Sequence, residues 1–134
     1  MPLAVSIVTP EKEVWSGEAE FVVVRADGGD LGILPGHAPF LGAVHHRRLI
    51  IQTDQGQTYA AVHGGFVEVF EDRVTVLTGR AELADEIDMA RAREQRQEAE
   101  RRLAGEDTEE NRQALLRAMN RIETAAEAGL LDIG

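Results

Sequence analysis

Cysteine is absent from this 134-residue chain. That excludes disulfides, thiolate nucleophiles and Cys-based metal sites, and it fits a reducing compartment. Lysine occurs once, at Lys12, against thirteen arginines. The chain therefore has neither G-x-x-x-x-G-K-[ST] nor the lysine that a phosphate-cradling loop needs. Aromatic residues are only 4% of the total, so any core must rest on Val, Ile, Leu and Ala. No apolar run reaches the ~18 residues of a membrane-spanning helix, so a link to a membrane is expected only through a partner. Met1 to Val8 lacks the basic start and long apolar stretch of a secretory leader. The formal net charge is −10. That argues against nucleic acid as the main partner and against electrostatic adsorption to a lipid surface.

Catalytic groupings are also scarce. Ser6 and Ser16 are the only serines, and neither lies in a G-x-S-x-G turn. His63-Gly64-Gly65 has the composition of an oxyanion loop but no nucleophile to serve. It reads instead as a glycine bulge at a strand start. His45 and His46 are adjacent and point to opposite faces of a strand, and His37 stands alone in a Pro/Gly loop. No metal-ligand spacing is present, so catalysis by this chain is not expected.

What remains divides near residue 82. Before it, short apolar runs alternate with turn signals. Strands are expected at Leu3–Val8, Glu20–Ala26, Phe40–Val44, Arg48–Thr53, Gln57–His63, Phe66–Phe70 and Arg73–Thr78. Asp54-Gln55-Gly56 and Glu71-Asp72 mark two hairpins. Asp27-Gly28-Gly29-Asp30 and Leu34 to Pro39 read as loops. Short strands at this spacing predict an antiparallel sandwich or barrel over residues 1–84.

After it, residues 85–134 are rich in Ala, Glu, Arg, Gln and Leu and read as two helices. The first is expected from Glu86 to Ala104, capped by Asp85 and ended by Gly105. The second should open on an Asp107/Glu110 capping box and run to about Ala128, before Gly129. The short connection makes them an antiparallel hairpin. The whole chain is thus an α+β protein: an antiparallel β-sandwich followed by a two-helix hairpin. The apolar stripe is thin, with Leu115, Ala118, Met119, Ile122, Ala125 and Ala126 on the second helix. On the first it is Ala92, Ala99 and Leu103, with Ile87 before them. Small side chains bury little area at ~25 cal/mol per Å², so the hairpin must lean on the sandwich, a partner or a ligand.

Eight arginines lie in the tail. Arg117 and Arg121 are one helical turn apart, and antiparallel pairing brings Arg91 towards Arg121. Guanidinium forks suit phosphate or carboxylate. Salt bridges with Glu94, Glu98 and Glu123 would use the same groups.

Three stretches carry a family resemblance. Gly29-Asp30-Leu31-Gly32-Ile33-Leu34-Pro35-Gly36-His37-Ala38-Pro39-Phe40-Leu41 is the most specific. The second is Gly64-Gly65-Phe66-Val67-Glu68-Val69 with Val74-Thr75-Val76-Leu77. The third is Ala81-Glu82, then Glu86-Ile87-Asp88 and Arg91-Ala92. In this order they resemble the epsilon subunit of bacterial F-type ATP synthase.

The resemblance implies a non-catalytic central-stalk subunit of a proton-translocating complex, peripheral at the cytoplasmic face of the bacterial plasma membrane. It implies a sandwich face on gamma, and Asp30, Leu31, Gly32 and His37 in a loop touching the c-ring. The hairpin would either fold onto the sandwich or extend to the catalytic α/β subunits and block ATP hydrolysis. In some members the folded hairpin binds a regulatory ATP, no cofactor being required. Glu82, Ile87, Asp88, Arg91, Ala92, Arg117 and Arg121 match that site. Glu98 stands where some members have a further arginine. Val44-His45-His46-Arg47-Arg48 departs from the family's usual Pro-Gly turn. The alternative reading is a free-standing ATP-binding sensor, which has no need of gamma.

Overall fold

A computed structural model describes residues 2–133, with side chains up to residue 129. Eight strands precede the helices: β1 Leu3–Val8, β2 Glu13–Ala19, β3 Phe21–Ala26, β4 Gly29–Ile33, β5 Phe40–Thr53, β6 Gly56–Phe70, β7 Arg73–Leu77 and β8 Ala81–Leu83. A 3-10 turn, Ala84–Glu86, leads to α1 Met89–Gly105 and α2 Glu109–Ile133.

The strands form one hydrogen-bonded path, β2-β1-β7-β6-β5-β3-β4, with β8 also on β6. The path folds into two layers because β5 and β6 are long enough to serve both. The first half of β5 pairs with the second half of β6, beside β7, β1 and β2. Its second half pairs with the first half of β6, beside β3, β4 and β8. Every ladder is antiparallel except β1 with β7.

Period-two alternation turns one side of each strand inward. Leu3, Val5 and Ile7 of β1, Val22 and Val24 of β3, Val67 and Val69 of β6, and Val74 and Val76 of β7 meet in one core with Ile33, Leu49 and Ile51. It is aliphatic, as the shortage of aromatics required.

Several expectations are corrected. The runs at Phe40–Val44 and Arg48–Thr53 are one strand, and so are Gln57–His63 and Phe66–Phe70. Polar residues at the centre of β5, His45 to Arg48, hid that continuity. Gly64-Gly65 is not a bulge: the β5–β6 register runs unbroken on either side, with Val44 opposite Gly65 and His46 opposite His63. The glycines instead kink β6 where it passes between layers, at φ of 80° and 119°. A Cβ on Gly65 would stand 2.1 Å from the Leu77 carbonyl oxygen and 2.9 Å from Thr78 Cα.

Strand β2 was not anticipated. As an edge strand it half-buries Val14 and Trp15, buries only Ala19 and exposes the rest, so its apolar alternation is weak. Strand β4 takes residues read as loop, because only Asp27-Gly28 turns the β3–β4 hairpin and Ala26 already pairs with Gly29. Strand β8 is short and lies inside the change of texture.

The helices also start and stop elsewhere. Asp88, not Asp85, caps α1, its side chain accepting from the Arg91 amide at 3.1 Å. Thr108, not Asp107, accepts from the Asn111 amide at 3.2 Å and opens α2. That helix continues through Gly129. Ala92, Ala99 and Ala118 are the buried small residues of the hairpin, while Ala126 is exposed. No described helix is long and apolar enough to cross a membrane.

Gly65→Ala should destabilise the sandwich by roughly 2–4 kcal/mol, since backbone and not a movable side chain blocks the Cβ. Gly36→Ala is the control. Its φ is 86°, but its surroundings are open, so a loss of about 1 kcal/mol is expected. Urea unfolding of both variants measures the difference, and equal losses would refute the clash.

Candidate functional site

The hairpin lies folded against β5 and β6, and polar groups make the seam. Asn120 of α2 is 2% exposed. Its Nδ2 donates to the Val62 carbonyl at 2.9 Å and lies 3.4 Å from His63 Nδ1. Thr124, one turn on, donates to Asn120 Oδ1 at 3.1 Å. His63 Nε2 is 2.8 Å from Glu82 Oε2. A carboxylate only accepts, so Nε2 carries the proton and Nδ1 faces Asn120 as an acceptor. Arg121 Nε donates to the other Glu82 oxygen at 2.8 Å. The chain of bonds thus runs from α2 through β6 and β8 and back to α2.

A second clamp holds the far end of α2. Arg47 donates to Glu123 at 2.8 Å. Arg48, almost buried, donates to Glu127 at 2.6 Å and with both terminal nitrogens to Asp30 at 3.2 and 3.1 Å. The atypical His-His-Arg-Arg segment is therefore where the sandwich grips the helix.

Burial pushes His63 below its ordinary range, so it stays neutral at neutral pH. Burial alone would raise Glu82, but the hydrogen bonds from His63 and Arg121 outweigh it and hold the carboxyl at about 2. Asp30 is likewise held at about 2, by Arg48 first and then Arg25.

Beside the seam is a cavity of about 540 Å³ lined by Arg80, Glu82, Glu86, Ile87, Asp88, Arg91, Gln95 and Arg121. A second, of about 460 Å³, shares Arg80, Arg91, Gln95 and Arg121 and adds Arg117 with residues of both helices. Together they form one groove between the β7–β8 turn, α1 and α2. Of the expected site residues, Glu82, Ile87, Asp88, Arg91 and Arg121 line its first part, and Arg117 lines the second. Ala92 does not line it; it is 1% exposed and packs in the hairpin.

The anticipated salt-bridge lattice is not what engages these arginines. Arg121 turns to Glu82, Glu123 goes to Arg47, and Glu98 is taken by Arg101 and Arg102. Sequence reasoning missed Arg80, Gln95, the Asn120–His63 seam and the Arg47/Arg48 clamp. Asn120 and Thr124, two polar residues four apart among Ala118, Ile122 and Ala125, were the available signal for the seam.

Asp30, Leu31 and Gly32 lie on edge strand β4 and not in a loop. The loop proper is Leu34 to Pro39. Its Gly36 amide donates to Asp72 at 2.7 Å, tying it to the β6–β7 turn. His37 lies in it, edge-on to Phe40 at 6.4 Å. On the outer face of the first layer Leu41, Phe66, Phe70 and Leu77 are 69%, 56%, 54% and 48% exposed. The β5–β6 and β6–β7 registers put them on one side. Exposed Glu68 lies among them on the same side; apolar side chains gathered this way are a surface suited to a protein contact.

A sandwich with an exposed apolar face and a polar-docked helical hairpin defines a binding and regulatory chain. A family model described as ATP synthase, Delta/Epsilon chain, beta-sandwich domain matches residues 2–84. An ATP synthase epsilon chain of Streptomyces coelicolor is 43% identical over 125 residues, covering 92% of this chain and 95% of its own. That of Bacillus mycoides is 42% identical over 125 residues, covering 90% and 94%. Among solved structures, a chain of the Euglena gracilis mitochondrial ATP synthase, OSCP/F1/c-ring, superposes with TM-score 0.70 at 19% identity, covering 96% of this chain and 81% of that one. The chain belongs to the epsilon-chain family of the F-type ATP synthase, a stalk subunit and not the catalytic one.

Docking should weaken in acid. An undocked His63 binds a proton more readily than the buried one, so docking stability falls as pH drops below the ordinary value of 6.5. Glu82 contributes stability that is present above 4.5 and lost as pH falls towards about 2. Hydrogen exchange of α2 amides, corrected for intrinsic pH effects, should show protection falling in both windows. His46, which burial likewise holds below its ordinary range, shares the upper one, so His63→Gln should shrink it; an unchanged profile in that variant would refute the assignment.

Proposed function

We propose that this stalk subunit couples proton-driven rotation to ATP synthesis, and that its hairpin is a mobile brake on ATP hydrolysis whose docked position is favoured by ATP. The observation that carries the reading is the groove. It is bounded by the sandwich and both helices, and it gathers Arg80, Arg91, Arg117 and Arg121 beside the Glu82 and Asp88 carboxylates. A nucleotide there would bridge all three elements, with guanidinium groups on its phosphates and Glu82, Ile87 and Asp88 near its other end.

The seam suits a brake. Asn120, Glu82, Arg121, Arg47 and Glu127 can all be satisfied by water once apart, so releasing the hairpin costs less than exposing an apolar core. A ligand that binds one placement only shifts the population by its differential affinity. Released, the hairpin would present its arginines to the catalytic α/β subunits. The solved structures it resembles are assemblies of F1 or central stalk with c-ring. By that analogy the Leu41/Phe66/Phe70/Leu77 face packs on gamma, and β4 with the Leu34–Pro39 loop meets the c-ring. The complex would stand at the cytoplasmic face of a bacterial plasma membrane.

Two measurements test this. Calorimetric titration of the full chain with ATP should show saturable binding that Arg91→Ala weakens at least about tenfold, the loss of one charge-assisted fork. No binding up to millimolar ATP would remove the nucleotide gate. Separately, the chain should co-purify with gamma, and Phe66→Asp should abolish this without unfolding the sandwich. Tight ATP binding without gamma capture would favour the free-standing sensor.

A further inference from the structure

Arg80 sits in the short link between β7 and β8, and its backbone is pinned to the sandwich. Its carbonyl accepts from the His63 amide at 3.1 Å and from Thr78 Oγ1 at 3.0 Å. It lines both parts of the groove, with Arg91 of α1 in each and Arg117 of α2 in the second. Among the described residues none of these three arginines forms an ion pair.

Four of the groove's carboxylates have partners, Glu86 taking the Leu83 amide at 3.2 Å. Glu82 is held by His63 and Arg121, and Asp88 by the Arg91 amide. Glu98, on the α1 wall, is neutralised by Arg101 and Arg102 at 2.6 and 2.9 Å. Glu94 lines the second part as well, yet three arginines stand there outside any ion pair among the described residues, one from each of three elements. Burial first, then the charges of Arg80 and Arg121, hold the half-buried Arg117 guanidinium below the ordinary range, against the opposite pull of Glu110 and Glu82.

We propose that Arg80 is the sandwich's share of a three-sided polyphosphate clamp, closing with Arg91 and Arg117 around the phosphates of the bound nucleotide. This rests on the nucleotide reading above and adds to it the residue that converts binding into docking. Arg91, Arg117 and Arg121 all ride on the hairpin. An anion held by them alone stays with the hairpin in either position and shifts nothing. Arg80 does not move with the hairpin. Its contact with the phosphates exists only in the docked placement, so on the phosphate side it supplies the differential affinity that the gate requires, as Glu82 of β8 does at the other end.

The test is calorimetry of ATP on the full chain and on Arg80→Ala, Arg80→Lys and Arg93→Ala, with hydrogen exchange of α2 amides with and without ATP. Arg93 is exposed on α1 and lines neither part of the groove. Arg80→Ala should weaken ATP about tenfold, as expected for one lost charge-assisted contact. It should also cut the protection that ATP adds to α2. Arg80→Lys should restore part of both, and Arg93→Ala should match the parent. Parent-like binding and parent-like added protection in Arg80→Ala overturn the clamp and leave the nucleotide site standing. So does an equal loss in Arg93→Ala, which would make the effect one of general charge. Absence of ATP binding in the parent overturns both readings together.

Discussion

The fold of the C-terminal third depends on one amide. Asn120 reaches out of α2 to the Val62 carbonyl and lies beside the His63 ring, and its other end takes the Thr124 hydroxyl. Around that contact the His63–Glu82–Arg121 chain closes the gap between helix and sheet. The seam is buried enough for geometry to matter and polar enough that separation does not expose an oily surface. A Leu at position 120 would leave the Val62 carbonyl and the His63 ring buried without their partner. The two buried alanines of α1 and the single one of α2 agree with a polar seam, because they let the helices approach closely while contributing little area.

Charge is distributed to the same end. The sandwich offers Arg47 and Arg48 to acids of α2, while α2 offers Arg121 to an acid of the sandwich. The polarity therefore alternates along the seam, which fixes the register of the helix on the sheet. A helix displaced by one turn would bring Arg121 towards the arginines of β5. Arg48 also ties Glu127 to Asp30 of the edge strand β4, so the tail and the edge beside the Pro/Gly loop share one buried cation.

Much of this was legible in the sequence. The division into strands and helices follows from the change in period and composition, and the aliphatic core from the alternation in Leu3–Val8 and Arg73–Thr78. The gathering of Arg91 and Arg121 at one end of the hairpin follows from antiparallel pairing alone. The long strands were not legible, because their mid-points carry the polar residues that grip α2, and polar residues there read as breaks. Asp30 was read as loop because its neighbours are glycines. Those glycines serve a two-residue turn, and strand pairing resumes at once. Arg80 was missed because nothing in the local pattern around Thr78-Gly79-Arg80 shows that the chain's return along β6 carries it to the helices.

The kinked passage of β6 between layers has a last consequence, for cooperativity. Strands β5 and β6 each contribute one half to either layer, so neither layer has a complete set of neighbours without the other. The sandwich must melt as one unit, with Gly64-Gly65 as the crease both halves share. The hairpin contributes no strand to either layer and can detach below that threshold. The molecule therefore has two tiers of opening: an all-or-none sheet, and a tail whose departure leaves that sheet whole.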